Sequence, residues 1–516
     1  MNFVIRRIRK ETVRFEKKGR PGNIKVGILI PMPYSAAVNS LFFQTSYEYI
    51  NSLEGAVAYR YVYDVKNDIL EALDMETNFN SLDAILISLS FELDYVVLAR
   101  ILDKLGLLHR YKGYKKPILI AGGIAVTSNP LPLSGIVDAV VIGEVDDILE
   151  DLVYTVGEDN PLNHLENFYC ISTLPIRDRV RRCFTKDLNR APHSVNQFYD
   201  MDEEPVYGYG MRIELSRGCP YLCAFCMEGH IQHPFRYRAM EVVWRMIEKG
   251  LGNSITKKVI FYSLALFSVP FMDRLIEKLI ENSIKASLPS LRVDHITKER
   301  LESIRELGQR TVTIAPETLV KSLACSIGKC YDIGHLENII SESLRCSFEH
   351  VKLYLITGFP KLDLNEEINE FKRILSKLSW VKKARFLRIV LNPLIPKPWT
   401  PYQFLPPAAV LNLAENINKY YKEARKFTFV RIESYNHKWA FAQAVIAQGN
   451  EEISDLIINW GRYGFSLNGF YRALRSLNKE STSFIYHGWE ELPWYKFIDM
   501  GLPIDYFKMR YHYLIN

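Results

Sequence analysis

Residues 213–229 read IELSRGCPYLCAFCMEG, and this stretch carries three of the eight cysteines in the 516-residue chain. Cys219, Cys223 and Cys226 have the spacing C-x3-C-x2-C and directly follow the short apolar run 212–215, which has the pattern of a strand. At this cysteine frequency such a cluster arises by chance in roughly one chain in several hundred. Thiolates gathered in one loop bind a soft metal or an iron–sulfur cluster. A [4Fe–4S] cluster held by three cysteines keeps one iron free of protein ligands, so that this iron can coordinate a small molecule.

His230 allows a second interpretation of the same loop. Together with Cys219, Cys223 and Cys226 it could complete a closed Cys3His zinc site. Structural zinc usually joins two separated half-sites, whereas these four residues lie in one loop at the start of a βα series. The iron–sulfur interpretation is therefore favoured, and the zinc site stays as the alternative.

The other cysteines lack such spacing: Cys170, Cys183, Cys325, Cys330 and Cys346. We expect them at ordinary core or surface positions, although Cys325 and Cys330 could form an auxiliary pair. Eight cysteines in a chain of this length exclude a disulfide-dense secreted scaffold and predict a reducing compartment, metal chemistry or both. We take the compartment to be the cytoplasm.

The overall composition predicts a folded protein of about three domains. Apolar residues make up 48% and charged residues 24%, which excludes fibrous and disordered classes. The net charge of +6 is too small to imply nucleic-acid binding by charge alone. We expect no membrane span, because the richest apolar stretch, residues 84–102, is interrupted by Glu92, Asp94 and Arg100.

The cysteine loop opens a βα series that we place at residues 210–405. Its expected strands are Arg212–Leu215, Lys258–Ser263, Ala286–Val293, Thr311–Ile314, His350–Ile356 and Phe386–Leu391. Six βα units are too few for a closed eight-fold barrel, so the pattern predicts a partial (βα)6 barrel with its chemistry at the strand C-termini.

An earlier α/β series at residues 24–156 predicts a flavodoxin-like domain. Its expected strands are Val26–Ile30, Ala58–Tyr63, Ala84–Ser88, Ile118–Ala121 and Ala139–Ile142, with helices at about 38–52, 68–75 and 93–107. In such a domain ligands bind beyond the carboxyl ends of the strands. Gly122 and Gly123 lie at one of these ends, where glycines either admit a bulky ligand or simply form a tight turn.

Three further regions complete the chain. Residues 1–23 form a basic arm with eight Lys and Arg between positions 6 and 20, which predicts either binding to RNA or anionic lipid or an ordinary solvated lead-in segment. Residues 157–209 lose the periodicity and are interpreted as a connector. Residues 406–516 are helix-rich and aromatic, which predicts a capping or substrate-facing domain.

The motif Cys219-x3-Cys223-x-Phe225-Cys226, on the loop after a first barrel strand, resembles the signature of the radical S-adenosylmethionine (SAM) superfamily. The resemblance implies a [4Fe–4S] cluster whose open iron chelates the amino and carboxylate groups of SAM, and reductive cleavage of SAM to a 5′-deoxyadenosyl radical. It also implies that Phe225 lines the adenine end of the site, and that a reductant protein such as ferredoxin or flavodoxin supplies the electron.

Segments at the later strand ends are similar to those of the B12-binding-domain radical SAM proteins, a group related to methylthiotransferases: residues 290–294, 313–318, 352–360 and 392–401. At these ends a cation and an anion, Arg292 and Glu317, suit the carboxylate and the amino group of SAM, unless they and Asp294 only satisfy one another. Ser263 stands where the group often carries a Gly-Gly-Glu for the SAM amino group, and Gly358 would shape the backbone under the adenosine.

The sequence departs from this group in its N-terminal region. The cobalamin motif Asp-x-His-x-x-Gly is absent, and the single histidine before residue 160 is His109. A bound cobalamin would therefore lack a histidine lower ligand of that kind.

We expect a radical SAM enzyme that carries out cobalamin-assisted methyl transfer or a related C–C bond-forming step at an unactivated carbon. The alternatives are methylthiolation or another radical modification without cobalamin, and a non-catalytic binding protein stabilised by zinc or a cluster. The substrate class is open among RNA, a protein side chain and a lipid, because aromatic residues serve all three. No catalytic side chain beyond the cofactor ligands is predicted.

Overall fold

The structure is a computed structural model, and it describes residues 3–13, 23–74, 76, 78–108, 116–346, 348–381, 385–478, 480 and 482–516. Within these ranges no helix is both long and apolar enough to cross a membrane. His109 lies outside the described residues, as do Arg14, Lys17, Lys18 and Arg20 of the basic arm.

The N-terminal part is an eight-stranded sheet with helices on its faces. Its strands are β1 (Val4–Arg6), β2 (Ile24–Ile30), β3 (Ala56–Asp64), β4 (Ile69–Ala72), β5 (Ala84–Ser88), β6 (Ile118–Gly122), β7 (Ala139–Val141) and β8 (Ile171–Thr173). Its helices are α1 (Tyr34–Ala37), α2 (Leu41–Ser52), α3 (Asp94–Leu105), α4 (Ile124–Ser128), α5 (Leu149–Thr155) and α6 (Pro161–Leu165). The sheet order is β1-β4-β3-β2-β5-β6-β7-β8, and its five central strands, parallel to one another, have the 2-1-3-4-5 order of flavodoxin-like domains.

The helix predicted at residues 68–75 is wrong. Ile69–Ala72 is strand β4, which pairs antiparallel with β3 after a turn that holds Asp68 at φ 55°. Leu70 and Ala72 are fully buried beside Tyr61, so pairing and burial override the local helical pattern.

The described part of the basic arm belongs to this sheet. Strand β1 pairs with β4, and Arg9 is buried in ion pairs with Glu71 at 2.6 Å, Asp200 at 3.0 Å and Glu203 at 2.6 Å. Arg9 therefore neutralises carboxylates of the same chain, and this part of the arm is a packed strand extension rather than a solvated lead-in segment.

The second part is a partial barrel of parallel strands. It comprises β10 (Met211–Glu214), β13 (Lys258–Tyr262) and β14 (Lys285–Ser287) in one sheet, and β15 (Thr311–Glu317), β16 (His350–Thr357), β17 (Phe386–Pro393) and β18 (Val430–Ser434) in the next. A bridge between Leu291 and Ile314 joins the two sheets. The short hairpin strands β11 (Ser216–Arg217) and β12 (Arg236–Tyr237) flank the cysteine loop. Its helices are α7 (Met227–Ile231), α8 (Met240–Gly252), α9 (Met272–Glu281), α10 (Lys298–Glu306), α11 (Lys321–Ser326), α12 (Ile333–Arg345), α13 (Leu364–Lys377) and α14 (Ala414–Ala424).

Two expectations for the barrel need correction. The strand predicted at Ala286–Val293 ends at Ser287, because Pro289 follows and cannot donate to a ladder. The barrel also continues past residue 405, since β18 pairs in parallel with β17. The strand series thus runs to Ser434, and the helical domain begins later than predicted.

The C-terminal helices pack against both other parts. They are α15 (His437–Ala447), α16 (Ile453–Tyr463), α17 (Leu467–Arg475), α18 (Phe484–His487), α19 (Pro493–Phe497) and α20 (Ile504–Ile515). Strand β9 (Val180–Arg181) of the connector pairs with β19 (Ile498–Asp499), and Asn129 donates to the carbonyls of Ala447 at 3.0 Å and Gly449 at 2.7 Å. These contacts hold the C-terminal helices against the N-terminal sheet and the connector.

Candidate cofactor sites

The cysteine loop is held at the carboxyl end of the first barrel strand. It runs from β11 to α7, and Gly218 begins it at φ 75°. A Cβ at Gly218 would lie 2.6 Å from the carbonyl oxygens of Gln232 and Pro234, so the turn requires glycine. At the other end Cys226 caps α7, and its Sγ accepts from the Gly229 N–H at 3.4 Å.

The three thiols border one small region at the barrel mouth. The Cys223 thiol donates to the Gly328 carbonyl at 3.6 Å, and a Cβ built on Gly229 would lie 3.7 Å from Cys226 Sγ and 3.8 Å from Cys219 Cβ. Burial raises the pKa of all three thiols, that of Cys226 to about 12. A metal centre would therefore have to supply the free energy of deprotonation when it binds.

His230 does not join the three cysteines in a single-ion site. Among the described residues no three His, Cys, Asp or Glu side chains converge closely enough for one metal ion. His230 instead uses both ring nitrogens elsewhere, with Nδ1 2.8 Å from the Cys226 carbonyl and Nε2 3.3 Å from the Tyr506 hydroxyl. Three thiols without a fourth protein ligand are the donor set that a [4Fe–4S] cluster with one open iron would use.

Arg292 lies directly against the cysteine loop. Its Nη1 donates to Cys223 Sγ at 3.6 Å, and the guanidinium stacks 3.7 Å from the centre of the Tyr221 ring. Its Nε pairs with Asp294 at 3.0 Å. A fixed cation at this distance favours a thiolate at Cys223.

Glu317 pairs with a residue that sequence reasoning missed. At the end of β15 it adopts φ 70°, and its carboxylate binds Lys329 Nζ at 2.7 Å rather than Arg292. Lys329 also donates to the Ala315 carbonyl at 2.9 Å and lies 5.7 Å from the centre of the Phe225 ring. The strand end thus presents a carboxylate and an ammonium side by side.

Lys329 is carried by a short loop that a disulfide closes. The sulfurs of Cys325 and Cys330 are bonded to each other, and the Ile327 carbonyl accepts from the Ala224 N–H at 2.9 Å. The loop therefore packs directly on the cysteine loop. In the sequence, only the pair Cys325 and Cys330 marked this loop. Their spacing did not indicate that Lys329 between them binds Glu317.

The remaining predicted residues surround the same mouth. Phe225 packs against Phe359, with ring centres 6.2 Å apart. Gly358 has φ 101°, and a Cβ there would lie 2.7 Å from Leu413 Cδ1. Ser263 lies to one side, with its hydroxyl 2.7 Å from that of Ser216.

Gly122 and Gly123 line a separate cavity at the carboxyl ends of the N-terminal strands. The cavity has a volume of about 270 Å³ and lies between α2, α5 and the start of the barrel. Gly123 has φ 107°, and a Cβ there would lie 2.5 Å from the Leu89 carbonyl oxygen, so its turn alone requires glycine. Arg182 of the connector also lines the cavity, and sequence reasoning did not single it out.

Ion pairs connect the rim of this cavity to the barrel. Glu144 follows β7 and binds Arg217 at 2.8 Å and Arg236 at 2.7 Å, both beside the cysteine loop. Burial alone would raise the pKa of Glu144, but the two guanidinium groups outweigh it and lower that pKa. The carboxylate is therefore charged and bridges the two domains.

A second buried charge cluster lies where all three parts meet. Glu92, beyond β5, pairs with Lys397, beyond β17, at 2.9 Å. Gln443 of α15 donates to the other Glu92 oxygen at 2.7 Å. This cluster joins the N-terminal sheet, the barrel and the C-terminal helices.

Two family models match the chain. Residues 43–167 match "Radical SAM proteins, N-terminal", and residues 213–375 match "Radical SAM superfamily". A curated relative, the uncharacterized protein MJ0966 of Methanocaldococcus jannaschii, is 29% identical over 75% of this chain and 81% of its own length.

Two solved structures share the fold. The radical SAM methyltransferase TsrM from Kitasatospora setae, with cobalamin and a [4Fe–4S] cluster bound, aligns with a TM-score of 0.51 at 15% identity over 76% of each chain. The cobalamin-dependent radical SAM enzyme OxsB, with aqua-cobalamin and SAM bound, aligns with a TM-score of 0.52 at 16% identity over 77% of this chain and 56% of its own. At such identities the likeness extends to the fold alone.

Proposed function

Since the chain belongs to the radical SAM superfamily, we propose that it holds a [4Fe–4S] cluster on Cys219, Cys223 and Cys226 and cleaves SAM reductively. When bound, such a cluster supplies the electron for sulfonium cleavage, and a cobalamin supplies a transferable methyl group. The observation that carries the proposal is the placement of all three thiols at the mouth of a parallel barrel, with Arg292 donating to Cys223.

We assign the polar ends of SAM to the charged pairs at the mouth. Glu317 would accept the amino group, and Lys329, released from Glu317, would bind the carboxylate together with Arg292. Phe225 and Gly358 would border the adenosine, and Ser263 would add a hydroxyl at the end of the second strand.

The reaction that we propose is cobalamin-assisted methyl transfer or a related C–C bond-forming step, supported by the cavity beside the barrel and the shared fold. The Glu144 ion pairs would hold this cavity against the barrel mouth, so that two cofactors could face one substrate. Methylthiolation without cobalamin remains the second candidate. An external reductant protein, such as ferredoxin or flavodoxin, would supply the electron.

The test uses the full chain, reconstituted anaerobically with iron and sulfide and then supplied with SAM and a strong reductant. We expect 5′-deoxyadenosine or S-adenosylhomocysteine by mass spectrometry. A cluster-loaded sample that produces neither compound would contradict catalysis and favour a binding protein. Mass spectrometry of RNA, protein and lipid fractions from cells with and without the gene would then identify the substrate class, because one fraction should differ by the mass of one methyl group.

A further inference from the structure

The disulfide between Cys325 and Cys330 lies on the protein surface. Both of its cysteines are exposed, whereas the cysteines with free thiols are buried or half-buried. An exposed disulfide is open to attack by a thiolate from solution, and disulfides of this kind are the labile and regulatory ones. We call residues 325–330 the disulfide loop, because the bond between its two ends closes it.

The residues enclosed by the disulfide face the cysteine loop. Ile327 is fully buried, and its carbonyl accepts from the Ala224 N–H at 2.9 Å. The Gly328 carbonyl accepts from the Cys223 thiol at 3.6 Å and from Arg292 Nη2 at 3.3 Å. One side of the disulfide loop therefore meets solvent, and the other side forms a wall of the barrel mouth.

Lys329 of the disulfide loop occupies two of the residues that we assign to SAM. Its Nζ lies 2.7 Å from the Glu317 carboxylate and 5.7 Å from the centre of the Phe225 ring. The side chains of Lys329 and Glu317 are only 12% and 10% exposed, so breaking their ion pair is costly. SAM gains access to Glu317 only when Lys329 moves away from it.

The backbone of the disulfide loop holds Lys329 in this position. The Lys329 N–H donates to the Ala324 carbonyl at 2.8 Å, and the Gly328 N–H donates to the Cys325 carbonyl at 3.2 Å. The disulfide then ties the end of α11 to Cys330, the residue directly after Lys329. A cross-link removes the conformations in which its two ends separate, so the loop cannot swing outward with Lys329 while the disulfide is intact.

We propose that Cys325 and Cys330 form a thiol–disulfide exchange site that regulates SAM binding. The disulfide form holds Lys329 on Glu317, and the dithiol form lets Lys329 leave Glu317, so that SAM binds more tightly. The regulation of SAM binding rests on the proposed function, whereas the exchange reaction and the movement of the disulfide loop do not.

The reductant is a dithiol, either a small molecule or a protein with two neighbouring cysteines. One of its thiolates attacks a sulfur of the disulfide, and the bond between Cys325 and Cys330 breaks as a mixed disulfide forms. The second thiol of the reductant then displaces the mixed disulfide and leaves a disulfide within the reductant. Two electrons and two protons thereby pass to Cys325 and Cys330.

The experiment uses the full chain, reconstituted with its cluster and divided anaerobically into two samples. One sample is treated with dithiothreitol and the other with oxidised glutathione, and both are then desalted. Labelling with N-ethylmaleimide, followed by peptide mass spectrometry, reports the free thiols at Cys325 and Cys330, and iron analysis verifies the cluster. Isothermal titration measures the affinity for SAM. Hydrogen–deuterium exchange without SAM measures the opening of the disulfide loop.

Three variants separate the disulfide from its effect on the ion pair. The double variant Cys325→Ser, Cys330→Ser cannot form the disulfide, and Lys329→Gln removes the ion pair with Glu317. Cys346→Ser is the control, because Cys346 has no part in the barrel mouth. Thermal unfolding verifies that each variant folds, and if the double variant does not fold, wild type in its two states and Lys329→Gln still decide.

We expect dithiol wild type to bind SAM at least fivefold more tightly than disulfide wild type, and its disulfide loop to exchange hydrogen faster. The double variant should bind SAM like dithiol wild type after either treatment. Lys329→Gln should have one affinity in both states, and Cys346→Ser should keep the fivefold difference.

The outcomes distinguish this inference from the proposed function. Faster exchange in the dithiol form without SAM binding in either state would uphold the movement of the disulfide loop and contradict the proposed function. Equal affinities for SAM in the two states would overturn the inference and leave the proposed function standing. Free thiols at Cys325 and Cys330 after treatment with oxidised glutathione would also overturn it.

Discussion

The barrel mouth and the cavity of the N-terminal sheet are prepared for ligands in opposite ways. At the mouth the charges are already paired, Glu317 with Lys329 and Arg292 with Asp294. The cavity is lined mostly by apolar side chains, and its carboxylates Glu144, Asp146 and Glu214 are paired with Arg217 at the rim. A ligand at the mouth must therefore exchange partners with existing ion pairs, whereas a ligand in the cavity would contact mainly apolar walls. Substitutions of charged residues should consequently change ligand binding at the mouth and stability at the cavity rim.

The largest effect is expected from the cysteine loop. Cys223→Ala removes a thiolate ligand that Arg292 stabilises, and we expect the reconstituted chain to lose its iron and its brown colour. Cys346→Ala is the matched control, because Cys346 has no part in the barrel mouth. Iron and sulfide analysis decides, and a Cys223 variant that binds as much iron as wild type would remove this cysteine from the ligand set.

The two regions also differ in how far the sequence predicts them. The cysteines that we propose as cluster ligands lie within eight residues, so their spacing alone predicts them, and the buried apolar runs identify most strands. Lys329 and Arg182 could not be found in this way, because Lys329 reaches Glu317 through a loop closed by Cys325 and Cys330, and Arg182 enters the cavity from the connector. Strand β18 was missed because only its alternation marks it and its residues are half exposed.

The ion pairs of Glu144 with Arg217 and Arg236 form a bridge between the N-terminal domain and the barrel, and this bridge should contribute strongly to stability. Glu144→Gln leaves Arg236 without its carboxylate and weakens one contact of Arg217, and we expect a loss of about 3 kcal/mol in the free energy of unfolding. Glu433→Gln, in an exposed pair with Arg388, is the control and should cost less than about 1 kcal/mol. Urea denaturation measures both, and equal losses would contradict the bridging role.

The same bridge predicts a dependence on acid. Glu214, at the end of β10, joins this bridge through Arg217 at 2.6 Å and Arg238 at 3.1 Å. Burial alone would raise the pKa of Glu144 and of Glu214, but the guanidinium groups beside them lower both, that of Glu214 to about 2. Their stabilisation is thus complete above the pKa of an unfolded carboxyl, about 4.3, and is lost as pH falls toward 2. Melting temperatures between pH 3 and 7 should fall steeply below pH 4 in wild type and less steeply in Glu144→Gln. If the melting temperatures of wild type and Glu144→Gln fall equally with pH, Glu144 does not cause the acid dependence.

At the barrel mouth, removing the negative charge of the Glu317–Lys329 pair should have a smaller effect, which we expect in the affinity for SAM. Glu317→Gln keeps the shape of the side chain but loses the charge that we assign to the SAM amino group, and we expect the affinity for SAM to fall about tenfold. Isothermal titration of the reconstituted chain measures it, with the exposed Glu302→Gln as control. An unchanged affinity in the Glu317 variant would assign the amino group to another residue.

The smallest effect concerns the barrel wall behind Glu317. Burial raises the pKa of Glu367 to about 7, although Thr318 donates to this carboxyl at 2.7 Å. The folded state therefore keeps a proton that the unfolded chain releases near pH 4.3, and stability falls as pH rises from about 4.3 to 7. Glu367→Gln should flatten this decline and change the free energy of unfolding at pH 5 by less than about 1 kcal/mol. If the stability of the variant falls with pH as steeply as that of wild type, other titrating groups cause the decline.

We propose that the three thiols at the barrel mouth hold a cluster with an iron open to SAM. Low-temperature electron paramagnetic resonance of the reduced, reconstituted chain, in samples with and without SAM, distinguishes an open iron from a closed cluster. We expect the signal of a reduced [4Fe–4S] cluster whose g values shift when SAM is added. A strong cluster signal that SAM leaves unchanged would show that no iron of the cluster binds SAM.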